Sequence, residues 1–161
     1  MSNTHSTLSI GALILLSLVN IRFNSALLEN QTIETENKIY LTAFSLADDL
    51  IEEIKQKSFD AATVDFPTTD RSDLTPYNYF GPASSEVYPN YNDIDDYQGY
   101  SRTISLPHAE DYLVSCEVWY VDESNPDKIS YTQTFYKKVK VTVTSPYLNK
   151  PVSLSFIFTL K

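Results

Sequence analysis

The sequence predicts an α+β protein: a long N-terminal helix, apolar in its first half and amphipathic in its second, packed on a C-terminal antiparallel β-sheet. Three observations predict it. Residues 6–58 carry helical patterning, with no proline before Pro67 and a single glycine, Gly11, before Gly81. From Tyr112 onward the apolar period becomes two, the period of a strand with one buried face. Between them, residues 60–111 hold Pro67, Pro76, Pro82, Pro89 and Pro107 with Gly81 and Gly99, the composition of ordered loops.

The helix begins with a run that is apolar on every side, residues 7–19, carrying Leu8, Ile10, Leu13, Ile14, Leu15, Leu16, Leu18 and Val19. Such a surface must be covered by lipid or by other copies of itself. A cleaved secretory signal fits poorly, because residues 1–6 contain no Lys or Arg and helical patterning runs straight through Asn24-Ser25-Ala26. A permanent membrane span needs about 20 apolar residues, and here Asn20, Arg22 and Asn24 interrupt after Val19. Arg22 can snorkel to the interface, so a marginal single span stays open. The third reading is a helix stored in the membrane that then packs against identical helices, for which marginal hydrophobicity is suited.

The pattern then narrows to one stripe. Tyr40, Phe44, Ala47, Leu50, Ile51 and Ile54 follow at steps of three and four, with Ile33 and Ala43 in the same series. Glu34, Glu36, Asp48, Asp49, Glu52, Glu53, Lys55 and Lys57 occupy the other side. Glu34–Lys38 and Glu53–Lys57 are favourable i,i+4 spacings, and Asp48–Glu52 is an unfavourable one. From Leu8 to Ser58 the helix would run about 76 Å, roughly double what a bilayer core requires. Half of it must serve another purpose. This divides the chain into an apolar helix (1–28), an amphipathic helix (29–59) and a head (60–161), the head comprising an acidic loop-rich segment (60–111) and a β meander (112–161).

In the meander, Tyr112, Val114, Cys116, Val118 and Tyr120 point one way, and residues 122–127 read as a turn. Ile129–Phe135 is expected as a returning strand. Val139, Val141 and Val143 alternate with Lys138, Lys140 and Thr142; after a turn at 146–151, Val152, Leu154, Phe156, Phe158 and Leu160 alternate with mostly Ser and Thr. A further short strand is expected at residues 100–106. The stripe of Tyr40–Ile54 is the expected cover for the buried sheet face.

The chain carries a formal net charge of −9 and a sequence pI near 4.5. This argues against a nucleic-acid binder, where a basic patch supplies most of the affinity. It argues equally against a cationic membrane-surface binder. One cysteine, Cys116, forms no intramolecular disulfide and lies in an alternating apolar run, so an inert buried thiol is expected. His5 and His108 are too few and too isolated for a histidine metal site.

Three stretches carry a family resemblance. Ser6-Thr7-Leu8-Ser9-Ile10 and the apolar run after it resemble the start of a mature pilin. Residues 47–55, with Ser58-Phe59-Asp60, resemble the helix end of minor-pilin-like proteins. Residues 136–143, a turn and Val152-Ser153-Leu154-Ser155 resemble their final hairpin. Together with the two-part helix, the chain resembles type IV pilins and pseudopilins over most of its length. The resemblance implies identical subunits as partners in a helical homopolymer, an inner-membrane intermediate before assembly, and an extracellular filament on the cell surface. It also has departures: no Gly precedes Ser6, no Lys or Arg lies before it, and Ile10 stands where the family has a glutamate. Assembly would then rest on apolar packing alone.

Other chemistry has little support. Asp93, Asp95 and Asp96 are the best cation candidate, since Ca²⁺ takes several oxygen ligands, but their spacing departs from an EF-hand loop. A solvated turn with Asx hydrogen bonds is the simpler reading, and no cofactor is expected. No G-x-S-x-G, H-E-x-x-H or glycine-rich phosphate loop occurs, so no enzyme is expected. The tyrosines read as core and inter-subunit packing groups. The expected function is a structural filament subunit; the alternative is a single-span envelope protein with an exported β-rich binding domain. In the filament, residues 62–111 are expected to face solvent and neighbouring heads.

Overall fold

A computed structural model describes residues 2–106 and 109–160. His108 and Pro107, considered above, lie outside the described residues. Helix α1 runs from Ser2 to Ile54 without interruption. It contains no proline, so nothing along it removes a backbone donor, and its single glycine, Gly11, stays helical. Along its exposed N-terminal part, hydroxyls fold back on the backbone: Ser9 Oγ donates to His5 O, Ser17 Oγ to Leu13 O and Ser25 Oγ to Ile21 O, each at 2.9 Å. Thr32 and Thr35 do the same. Glu34 and Lys38 form the i,i+4 pair at 2.8 Å.

The helix ends four residues earlier than its pattern suggested. Gln56 N donates to Glu53 O and Lys57 N to Ile54 O, a tightened last turn, and Ser58 N turns to Asn92 O. The i,i+4 pairing of Glu53 with Lys57 does not form, because both side chains have partners in the loop beyond. Glu53 accepts from the Tyr97 and Tyr88 hydroxyls, and Lys57 Nζ donates to Tyr91 O.

By internal contacts the chain divides into two units, Met1–Lys38 and Ile39–Lys161. The second holds the sheet. Strands β1 (Ser101–Leu106), β2 (Ala109–Val121), β4 (Tyr136–Thr144) and β5 (Val152–Thr159) lie in that order, all antiparallel, and the short β3 (Ile129–Ser130) pairs with β2. Cys116 faces Val141 and Val118 faces Val139 across β2 and β4. Tyr112, Val114, Cys116, Val118 and Tyr120 are buried with Val139, Val141 and Val143, as the period of two predicts. The C-terminal stripe of α1 joins the same core through Ile39, Ala43, Ala47, Leu50, Ile51 and Ile54.

Two expectations about strands change. The run Ile129–Phe135 is a strand only over its first two residues. Hydroxyls then take over the backbone: Ser130 Oγ donates to Thr132 O, and Thr134 Oγ1 bonds Val121 O and Tyr136 O. Such side-chain bonds offer the chain an alternative to the ladder. On the outer strand β5, Val152, Leu154 and Phe158 are half-buried, as is Leu160 just after it, and Phe156 is exposed, its ring covered on one side by Lys55 Nζ, 4.3 Å from the centroid.

Residues 60–100 form four short 3₁₀ turns, Ala61–Thr63, Arg71–Asp73, Tyr77–Tyr79 and Asp95–Tyr97. Aromatics pin them to the core, with Tyr97 fully buried and Tyr77, Phe80, Tyr88, Tyr91 and Tyr100 packed against it.

Candidate functional site

Two regions of this chain carry features beyond ordinary packing. The first is the N-terminal part of α1. Leu8, Ile10, Leu13, Ile14, Leu15, Leu16, Leu18, Val19, Ile21, Phe23, Leu27 and Leu28 are between 46% and 71% exposed. Large side chains left in water at this density mark a surface meant to be covered. By length and composition it belongs to a helix apolar enough to cross a membrane, the one such helix among the described residues.

The six residues expected to join helix to sheet divide. Ala47, Leu50, Ile51 and Ile54 are buried, and Tyr40 is partly so. Phe44 is not: it is 49% exposed. The buried stripe runs through Ile39, Ala43 and Ala47 at steps of four, and Phe44 stands about 100° around the helix from Ala43. Ala43 and Ala47 are both fully buried.

The second region was not anticipated. Lys137, the first inward position of β4, is 0% exposed. Its Nζ donates to Asp60 Oδ2 at 2.7 Å, to Phe59 O at 2.7 Å and to Asp95 Oδ1 at 2.5 Å. The rings of Phe59, Phe80 and Tyr120 enclose it, their centroids 4.6, 4.9 and 5.1 Å from Nζ. Among the described residues Lys137 is the only buried cation, and Asp60, Asp93, Asp95 and Asp96 are buried around it and nearby.

The two carboxylates on Lys137 differ. Asp60, just past the helix end, caps the first 3₁₀ turn through Ala62 N. Its Oδ1 also accepts from Thr75 N and Thr75 Oγ1, and its Oδ2 from the Tyr120 hydroxyl at 2.8 Å. Burial works to raise its pKa, but the Lys137 ammonium and these donors outweigh it and hold the carboxyl at about 2. Asp95 has only the Lys137 bond on Oδ1, and its Oδ2 is buried with no hydrogen-bond partner. Burial pushes it up to about 8 despite the same ammonium, with Asp60 and Asp93 adding repulsion. The Tyr120 hydroxyl, buried beside Asp60, is pushed upward too.

The acidic triplet is therefore no solvated turn. Asx bonding is present, since Asp93 Oδ1 accepts from Asp95 N at 2.6 Å and Asp96 Oδ2 from Asn92 N at 3.0 Å. But all three carboxylates are buried, and Asp95 is held by a lysine, a competitor for any cation. Among the described residues, no group of three or more His, Cys, Asp or Glu side chains is placed to hold a metal ion. The expectation that residues 62–111 face outward is corrected for Leu74 and 93–97, which lie in the core. Cys116 is buried, and burial pushes its thiol up to about 12.

A sequence signal for the lysine existed. Val139, Val141 and Val143 fix the inward parity of β4, and Lys137 shares it. No protein-family model, curated protein or solved structure matches the chain.

Proposed function

We propose that this chain is a structural subunit of an extracellular, pilus-like filament that polymerises through its N-terminal helix, with the membrane holding it before assembly. The observation that carries this reading is one unbroken helix with two surfaces. The large apolar residues between 8 and 28 are exposed, whereas residues 39–54 bury a single stripe against a sheet. In a filament, identical helices cover the first surface. Asn20, Arg22 and Asn24, poor company for lipid, find partners between packed helices. The architecture, a long helix packed on an antiparallel sheet, supports the same reading.

A second reading has a specific observation in its favour. The helix meets the length and composition of a membrane span, which fits a single-span envelope protein with an exported β-rich binding domain. The variant Leu15→Asp separates the two. In a filament it abolishes polymer while the head stays folded; in a simple anchor it only shifts the protein to the soluble fraction. Electron microscopy of the cell surface and of the purified chain is the direct test. Helical filaments built from this chain support the proposal, and a detergent-solubilised monomer that never polymerises refutes it.

A further inference from the structure

The Lys137 centre has a chemistry that packing alone does not require. A primary amine, Nζ, touches the carboxyl of Asp95 at 2.5 Å inside an aromatic enclosure where neither side chain meets solvent appreciably. The second oxygen of that carboxyl is buried and unpartnered. A charge there costs far more than a neutral acid or amide would. On the other flank of Nζ, 2.7 Å away, is a second carboxylate, Asp60, which besides the lysine accepts from Ala62, Thr75 and Tyr120.

We propose that Lys137 Nζ and Asp95 Cγ join in an intramolecular isopeptide bond, with Asp60 as the base that moves the proton. Lys137 first passes one ammonium proton to Asp95, leaving a neutral amine against a carboxylic acid; burial holds that acid protonated up to about pH 8. The Nζ lone pair attacks Cγ, forming the N–C bond. Asp60 Oδ2 takes the proton that the nitrogen then sheds and returns it to the departing hydroxyl. The Cγ–O bond breaks and water leaves. Ammonium plus carboxylate become amide plus water, and no oxidant, reductant or co-reactant is needed. Fixed contact between the reacting groups replaces the activation that an intermolecular amide would require. Afterwards Lys137 carries no charge, and Asp60 keeps its Ala62, Thr75 and Tyr120 donors. The bond would tie residues 42 apart, closing a loop that contains β1, β2 and β3.

The test is the intact mass of the purified full chain under denaturing conditions. The expected result is a deficit of about 18 Da, one water, against the sequence mass, with a branched peptide joining positions 95 and 137 after digestion. Asp95→Asn is expected to react with loss of ammonia, about 17 Da, whereas Asp95→Ala and Lys137→Arg keep their full masses. Asp60→Asn is expected to slow the appearance of the deficit in a time course after refolding. A wild-type chain that keeps its full sequence mass after prolonged incubation in the folded state overturns the proposal. So does a deficit that persists in Lys137→Arg.

Discussion

Lys137 and Asp60, 77 residues apart in the chain, meet at 2.7 Å with neither side chain exposed to solvent. The contact joins the first residues after the long helix to the start of β4. It is reinforced by Phe59 O on the same ammonium and by the Tyr120 hydroxyl on the same carboxylate. Breaking one partner of such a pair leaves a buried charge without compensation.

Lys137→Met should therefore destabilise the head by about 3–5 kcal/mol or more, chiefly through the stranded Asp60 carboxylate. The paired variant Lys137→Met with Asp60→Asn should recover part of that loss, and a double-mutant cycle by denaturant unfolding measures the coupling. Strict additivity of the two changes would show that the contact carries no energy of its own.

The helix stripe makes a graded prediction. Ile54→Ala removes a fully buried side chain and should cost about 2–5 kcal/mol. Ala47→Leu pushes three extra carbons into a fully buried position of the stripe and should cost about 1–3 kcal/mol. Phe44→Ala, on the exposed side, should stay within about 1 kcal/mol of wild type. Thermal melts of the three variants check the order.

Asp93 contributes to the pH behaviour in the same direction as Asp95. Burial, then the charge of Asp96, lifts its carboxyl to about 6. The folded chain thus holds this proton more tightly than the unfolded chain, whose value is near 4. The stability it contributes is complete below about pH 4 and is lost as pH rises through about 6, a change of about 3 kcal/mol for a shift of this size. Asp60 has the opposite sign: its contribution is present above about pH 4 and lost as pH falls through about 2. Unfolding measured from pH 4 to 8 should show the decline, and Asp93→Asn should remove the Asp93 part of it while the part from Asp95, which has the same sign, stays.

Cys116 should be silent in the folded state. It is buried, and its thiol is held far from the thiolate by burial first and by the Glu117 charge second. A thiol reagent at pH 8 should label the native chain negligibly and the denatured chain stoichiometrically. Rapid native labelling would mean that β2 opens.

Most of the fold was legible because its two periods are clean. Val139, Val141 and Val143 announce a strand, and the stripe ending at Ile54 announces a helix with one buried side. What was not legible depends on contacts distant in sequence. Phe44 has the right chemistry for the stripe and the wrong angle, by one residue. Residues 131–135 look like a strand until Ser130 and Thr134 spend their hydroxyls on the backbone. Asp93, Asp95 and Asp96 look like a hydrated surface, because nothing nearby in the sequence supplies their counter-charge. Lys137 was visible in parity alone, and lysine is so rarely buried that parity yields to composition unless an acid such as Asp60 is already placed opposite.

The hydroxyls of Ser9, Ser17 and Ser25 have a consequence for partition between solvents. Each already donates its hydrogen to the carbonyl four residues behind it. Neither water nor a neighbouring chain is needed to satisfy that donor. Moving this face from hydrocarbon to a protein neighbour, or back, leaves those bonds intact. In the proposed filament, the helix would pass from lipid to its neighbours without giving up any of these hydroxyl bonds.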